Sequence, residues 1–332
     1  MALPVGPDLS TNPAPDPQRR KIAASAEAAW DFQRSHVGRR DESSLAHRIR
    51  VPMASVAKRM ARTCGLLTAN RRAEPSFLMI GAKRAGSTTL HRGVVEAGGV
   101  APMFPAFEQR KGMYFFDVHH QQGRRWYMSH MPTRSSLERD GLIVGESTPY
   151  YLSHPHAAAR AAEMLPDAKI VAVLRDPIER AHSHYGERFK QGIEYLPTFE
   201  DAIAAEPERL AGELERMLED PTYRSWNHLN FGYIDQSRYA TSLGRWLDAF
   251  PSEQVLVLRA EDLYENSSQV INQTREFLGL KRVADRVVEH HNKLEKAPLS
   301  SGVQQFLAAQ LGPEIQQLET RLNTSFDWAI GK

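Results

Sequence analysis

Four short apolar runs, Phe77–Ile80, Leu142–Val144, Ile170–Leu174 and Val255–Leu258, constrain this chain more than any other feature. Each is β-rich, almost free of polar residues, and runs directly into loop-forming sequence. A strand without a polar face has to be covered on both sides. The stretches between the runs carry helical periodicity, over His156–Leu165, Phe199–Leu218, Tyr239–Ala249, Gln269–Leu278 and Val303–Leu322. Buried strands alternating with helices predict an α/β fold, a central parallel sheet flanked by helices. In such sheets ligands lie beyond the carboxyl ends of the strands, so the residues just after 80, 144, 174 and 258 are where chemistry is expected.

The 332 residues accommodate one such domain with an appendage, and the expected division is 1–18, 19–74 and 75–332. Residues 1–18 carry prolines at 4, 7, 13, 15 and 17 and read as a disordered lead; 19–74 read as a basic helical extension. With 41% apolar and 25% charged residues, the composition is that of a globular protein. The single cysteine, Cys64, excludes an intrachain disulfide. No apolar run approaches the ~20 residues of a membrane helix. These features lead us to expect a soluble, cytoplasmic protein.

Charge divides unevenly. Residues 1–75 hold 13 Lys and Arg against 7 Asp and Glu, whereas the remainder holds 29 against 33. The basic arm reads either as a solvated tail or as a peripheral contact with a membrane surface or another anionic partner. Residues 48–72 would make that contact, through Arg48, Arg50, Lys58, Arg59, Arg62, Arg71 and Arg72, with an apolar stripe of Val51, Val56, Met60 and Leu66. Aromatics are not interleaved with these cations, so nucleic acid is not an expected partner. Oligomeric state leaves no mark on the sequence.

The first strand runs into Gly81-Ala82-Lys83-Arg84-Ala85-Gly86-Ser87-Thr88-Thr89-Leu90. Glycines five apart permit a tight loop, Ser87, Thr88 and Thr89 are able to cap the following helix, and backbone N–H groups there form an anion cradle. The spacing is that of a nucleotide-triphosphate loop, yet Ser87 stands where its lysine belongs and the charge has moved to Lys83 and Arg84. Such a loop suits a phosphate or phosphosulfate; an ordinary strand–helix turn would answer the same spacing. The third strand runs into Arg175-Asp176-Pro177-Ile178-Glu179. Asp176 suits an N-cap, Pro177 the first helical position and Glu179 the third, which sends Arg175 into the cleft. Ser183, two turns on, is placed to meet the same anion from the side.

Together these two segments resemble the sulfotransferases that use 3′-phosphoadenylyl sulfate (PAPS). Gly81–Leu90 resembles that family's 5′-phosphosulfate loop, and Leu174–Pro177 through Ser183-His184-Tyr185 its 3′-phosphate segment. The likeness continues in Lys111-Gly112-Met113-Tyr114-Phe115-Phe116-Asp117 with Trp126-Tyr127, and in Gly145-Glu146-Ser147-Thr148-Pro149-Tyr150-Tyr151. It extends through Tyr239-Ala240, Trp246-Leu247, Phe250-Pro251, Glu261-Asp262-Leu263 and Phe277-Leu278-Gly279-Leu280, toward the heparan-sulfate sulfotransferase branch and its bacterial relatives. The family's loop usually carries Lys where this chain has Arg84, and members of the branch often place Glu or His, as the catalytic base, where it has Gly112 and Tyr114.

The resemblance implies in-line sulfuryl transfer from PAPS to a hydroxyl of a saccharide, glycolipid or secondary metabolite, releasing 3′,5′-bisphosphate (PAP). Arg84 would stabilise the bridging oxygen. Ala85, Gly86, Ser87, Thr88 and Thr89, with Lys83, would hold the 5′-phosphate, and Arg175 with Ser183 the 3′-phosphate. Lys293 and Lys296 resemble part of a loop closing over the nucleotide. No metal is implied, and the pairs His154/His156 and His182/His184, two apart, do not face one another on a helix. Glu146, expected just beyond the second strand, ranks first as the acceptor's base, followed by His119 and His120 and then Tyr114, with Lys111 orienting or neutralising. Tyr114, Phe115, Trp126, Tyr150 and Tyr151 would either line an acceptor cleft or belong to the core. The alternatives are a nucleotide kinase or triphosphate switch, and a non-catalytic PAPS- or PAP-binding module.

Overall fold

The structure, a computed structural model, describes residues 45–284 and 298–328. Its elements in chain order are α1 (Leu45–Leu67), β1 (Phe77–Gly81), α2 (Ser87–Glu96), α3 (Gly123–Met128), α4 (Arg134–Asp140), β2 (Gly145–Ser147), α5 (Ala157–Met164) and β3 (Lys169–Leu174). They continue with α6 (Pro177–Lys190), α7 (Phe199–Leu210), α8 (Glu213–Glu219), α9 (Trp226–Phe231), α10 (Tyr239–Ala249), β4 (Val255–Arg259), α11 (Ala260–Glu265), α12 (Ser267–Phe277) and α13 (Ser301–Leu322).

All strand pairs are parallel, in the order β2-β1-β3-β4. The chain leaves β1 for one neighbour and later returns for the other, so strand order reverses between β1 and β3. The crevice outside the carboxyl ends of those two strands is therefore the expected ligand site. It is bordered by the loop after Gly81 and by Arg175. Phe77, Leu78, Met79 and Ile80 are buried, as are Ile170 to Leu174. A full side chain of that kind removed from water contributes about 1.5–3 kcal/mol, which explains why these runs occupy the centre. A second apolar cluster, with Tyr185, Phe199, Tyr233 and Leu307, packs α6 against α7 and α13.

Three boundaries differ from the sequence reading. The second strand begins at Gly145, not Leu142. Ile143 instead exchanges hydrogen bonds with Gly99 and Ala101, and pairing with β1 starts where Gly145 faces Phe77. A Cβ at Gly145 would lie 2.5 Å from the Phe77 ring, so only glycine admits that approach. The expected helix Phe199–Leu218 is two, α7 and α8, separated at Gly212, which takes φ +72°. Ser87, Thr88 and Thr89 do not cap α2: the N-cap is Gly86 at φ +89°, and no side chain bonds to the cap.

The α1 helix sits on the body through its carboxyl end. Gly65 packs so closely that a Cβ would be 2.5 Å from the Ser129 carbonyl oxygen, and Arg125 donates to the Leu66 carbonyl at 3.1 Å. Val56, Met60 and Leu67 are exposed along it. Among the described residues no helix is long and apolar enough to cross a membrane. The lead 1–18 and the segment holding Lys293 and Lys296 lie outside the described residues.

Candidate active site

At the end of β3 the local sequence builds what its residue types dictate. Asp176 caps α6, accepting from the Ile178 and Glu179 N–H groups at 2.9 and 3.0 Å, with Pro177 at the first helical position. Glu179 does not complete a capping box. It pairs with Arg175 at 3.0 Å, and the Asp176 N–H donates to Glu261 instead. Arg175 also lies 3.5 Å from the Arg84 carbonyl oxygen and 5.9 Å from the Tyr264 ring centre. Beside it a cleft of about 300 Å³ is walled by Arg259, Glu261, Tyr264 and Trp328.

The loop after β1 turns back on α6. Arg84 takes φ +72°, a left-handed conformation that side chains rarely adopt, of a kind that clusters at functional sites. Its Nε donates to Ser183 Oγ at 3.1 Å and its Nη1 pairs with Glu187 at 3.0 Å. Lys83 Nζ donates to the Leu229 carbonyl at 3.1 Å. Burial first, then Arg188, hold the Lys83 ammonium well below its ordinary pKa. Lys111 Nζ reaches Thr88 Oγ1 at 2.8 Å and Ser87 Oγ at 3.4 Å. Burial and the Arg92 charge lower its pKa to about 8. Thus residues separate in sequence meet around the loop after β1: Arg84 with Ser183 and Arg175, and Lys111 with Ser87 and Thr88.

Glu146 has a different setting from the expected one. It lies within β2, wholly buried, not beyond it at the cleft. One carboxylate oxygen accepts from the Tyr127 and Tyr151 hydroxyls at 2.7 and 2.9 Å; the other accepts from the Met113 N–H at 2.5 Å and the Thr148 hydroxyl at 3.0 Å. Burial raises its pKa and those four donors oppose the rise. The next two N–H groups, of Tyr114 and Phe115, donate to the Thr148 and Tyr151 hydroxyl oxygens. One carboxylate and its two hydroxyl partners therefore fix three consecutive peptide units beside the crevice.

The aromatics divide in the same way. Phe115, Tyr150 and Tyr151 are core residues, with Phe115 stacked on Tyr127 at 4.5 Å, and Trp126 is half-buried. Tyr114, by contrast, is 44% exposed and held at φ +53°. Loss of water around its hydroxyl, then the Asp117 charge, push that phenol up to about 12. The His119 ring lies 5.4 Å from Trp126 and the His120 ring 5.3 Å from Phe115. His182 stacks on Phe199 and His184 meets Tyr233 edge-on, so that pair faces separate neighbours.

The structure gives the physical reason for one departure read in the sequence and adds one residue that the sequence reading missed. Gly112 lies so close to β2 that a Cβ would stand 2.3 Å from the Ser147 carbonyl oxygen, so the site has no room for a side chain there. Glu187 is the carboxylate paired with Arg84; its signal was the i,i+4 spacing from Ser183, which puts both on one helix face.

A parallel sheet with a cationic loop and a strand-end arginine at its switch point is the setting in which a group-transfer enzyme is expected to hold its ligand. The chain belongs to the sulfotransferase family: the Sulfotransferase domain model matches residues 74–302. It is 24% identical over 339 residues to the membrane-associated sulfotransferase kil1 of Dictyostelium discoideum, covering 82% of this chain and 70% of that one. It is 31% identical over 224 residues to human heparan sulfate glucosamine 3-O-sulfotransferase 3B1, covering 68% of this chain. The chain spans about half of that relative's length, 51%. A crystal structure of a sulfotransferase from Alicyclobacillus acidocaldarius superposes with a TM-score of 0.58 at 25% identity, covering 76% of this chain and 98% of the other.

Proposed function

We propose that this sulfotransferase moves the sulfuryl group of PAPS to a hydroxyl of a saccharide, glycolipid or secondary-metabolite acceptor and releases PAP. The observation that carries the reading is the meeting of the two anion segments: Arg84 bonds Ser183 across the crevice, and Arg175 reaches the Arg84 carbonyl. A ligand with anionic groups at both ends of a nucleoside would engage both segments at once.

In this reading the N–H groups from Ala85 to Thr89 and Lys83 hold the 5′-phosphate, and Arg175 with Ser183 the 3′-phosphate. Arg84 meets the charge that builds on the bridging oxygen, so its work is electrostatic stabilisation of the departing phosphate. Lys111, already bonded to the loop hydroxyls, neutralises the same group. Tyr114, exposed at the rim, orients the acceptor, and Glu146 fixes the segment that carries Tyr114. The basic α1 helix, with Val56, Met60 and Leu67 exposed beside Lys58, Arg59 and Arg62, rests on an anionic membrane surface, so the protein is cytoplasmic and peripheral.

Thermal unfolding with PAP, PAPS, or ATP plus Mg²⁺ at matched concentrations tests the donor. A ligand that binds only the folded state raises the melting temperature by mass action. A rise with PAP and PAPS and none with ATP is expected; a rise with ATP alone would replace this reading with the kinase one.

A further inference from the structure

Sulfuryl transfer to a hydroxyl needs a group to take the proton, within hydrogen-bond reach of the acceptor oxygen. Three of the residues in or behind the segment facing the crevice do not offer one. Gly112 has no side chain, and its close approach to Ser147 leaves no space for one. Glu146 is wholly buried and both of its oxygens are engaged by internal donors. The Tyr114 phenol, held up near 12, stays protonated at neutral pH and has no negative charge to take the proton with.

Resting on the sulfotransfer reading above, we propose that Glu187 is the general base for the acceptor hydroxyl. Three observations place it there. Its Oε1 lies 3.0 Å from Nη1 of Arg84, the residue assigned to the bridging oxygen. It shares a helix face with Ser183, whose hydroxyl meets the same guanidinium at 3.1 Å. Lys83, Lys111 and Tyr114 are near enough to feel its charge. The side chain keeps 24% of its surface open to solvent, unlike Glu146.

The step balances without any further reagent. The acceptor oxygen bonds to sulfur as the bond from sulfur to the bridging oxygen breaks. That oxygen keeps the electron pair on PAP, against Arg84, while the hydroxyl proton passes to Glu187 and then to solvent. Donor binding also prepares the base. Burial favours the protonated form of Glu187, but Arg188, Arg84 and Lys83 outweigh burial and hold it ionised below its ordinary pKa. The anionic donor draws Arg84 and Lys83 to itself, which weakens their hold on Glu187 and makes it more basic when the acceptor arrives. Free enzyme and donor complex thus differ in the strength of the same carboxylate.

The test uses the full chain and water as the acceptor, so that it does not depend on the natural one. PAP affinity and single-turnover breakdown of PAPS to PAP and sulfate are measured across pH for wild type, Glu187→Gln and Glu187→Asp. General-base catalysis is worth about 10²–10⁴-fold. The expected result is a Glu187→Gln rate lower by at least about 10²-fold, PAP affinity unchanged or tighter, and loss of the acidic limb of the pH profile. Glu187→Asp should retain that limb at a reduced rate, and it decides the matter if the glutamine variant does not fold. Equal rates in wild type and variants overturn the proposal. So does a loss of rate that tracks weaker PAP binding with an unchanged pH profile, which would make Glu187 only a holder of Arg84. Wild type that binds PAP yet leaves PAPS intact at every pH overturns it too. Wild type that does not bind PAP instead overturns the sulfotransfer reading itself.

Discussion

On the donor side of the crevice, Arg84, Lys83 and Arg175 are held by partners that an anionic ligand is able to replace: Glu187, the Leu229 carbonyl and Glu179. On the other side, Met113 to Phe115 are held by Glu146, Thr148 and Tyr151, inside the core and out of a ligand's reach. The difference follows from what each side contributes. Cations that exchange one set of oxygens for another bind a charged donor with little rearrangement. A segment that presents Tyr114 and Lys111 at fixed angles needs anchors that no ligand disturbs. Both sides carry a left-handed non-glycine residue at the crevice, Arg84 on one and Tyr114 on the other.

The largest expected effect is on the donor side. Arg84→Met removes the charge proposed to meet the bridging oxygen, and loss of one such stabilising donor costs about 10²–10³-fold in turnover. Single-turnover sulfuryl transfer from PAPS measures it, with thermal unfolding as the check on folding. A variant of near wild-type rate would move the role to Lys111 or Lys83.

The next effect falls on the anchored segment. Glu146→Ala strips the Tyr127, Tyr151 and Thr148 hydroxyls and the Met113 N–H of a buried acceptor, at about 1–3 kcal/mol for each group left unpaired. Denaturant unfolding should show a loss of roughly 3 kcal/mol or more. Glu146→Gln retains one carbonyl acceptor and recovers part of it. A glutamine variant that is fully stable yet loses turnover would return Glu146 to the role of base and erase the contrast between the two sides.

The smallest effect is a pH dependence of donor binding. Lys111 is lowered to about 8, so its positive charge is present below that pH and is lost as pH rises through it. PAP affinity should therefore fall above about pH 8, and binding there should take up a proton as the anion restores the ammonium. One pKa unit corresponds to 1.36 kcal/mol, so the change is about tenfold per unit recovered. Calorimetry in two buffers of different ionisation enthalpy reads the proton directly, and Lys111→Met should abolish it.

Much of the backbone around the loop after β1 and the start of α6 was legible in the sequence because it is local. Asp176-Pro177 specify the start of α6, Gly86 the turn before α2, and the apolar run at 170–174 the central strand. The placing of Glu146 was not legible. Ile143 and Val144 look like strand residues, but pairing with the 99–101 segment takes Ile143, and the ladder to β1 starts three residues later than expected. That shift puts Glu146 inside the sheet. The Gly112 contact was hidden for a related reason: a missing side chain reads as a departure until the Ser147 carbonyl is seen 2.3 Å from where a Cβ would stand.

By itself, then, the sequence determined three of the four strands, the turns that follow the first and third of them, and which family the ordered motifs resemble, since caps, turns and periodicity act within a few residues. The tertiary structure alone decided that Glu187 meets Arg84, that Lys111 reaches Thr88, and that Glu146 faces inward. Those relations join residues that are 103, 23 and 33 positions from their partners. They are fixed only when strand order and register bring the segments together, because a hydrogen bond or ion pair acts over about 3 Å of space and takes no account of distance along the chain.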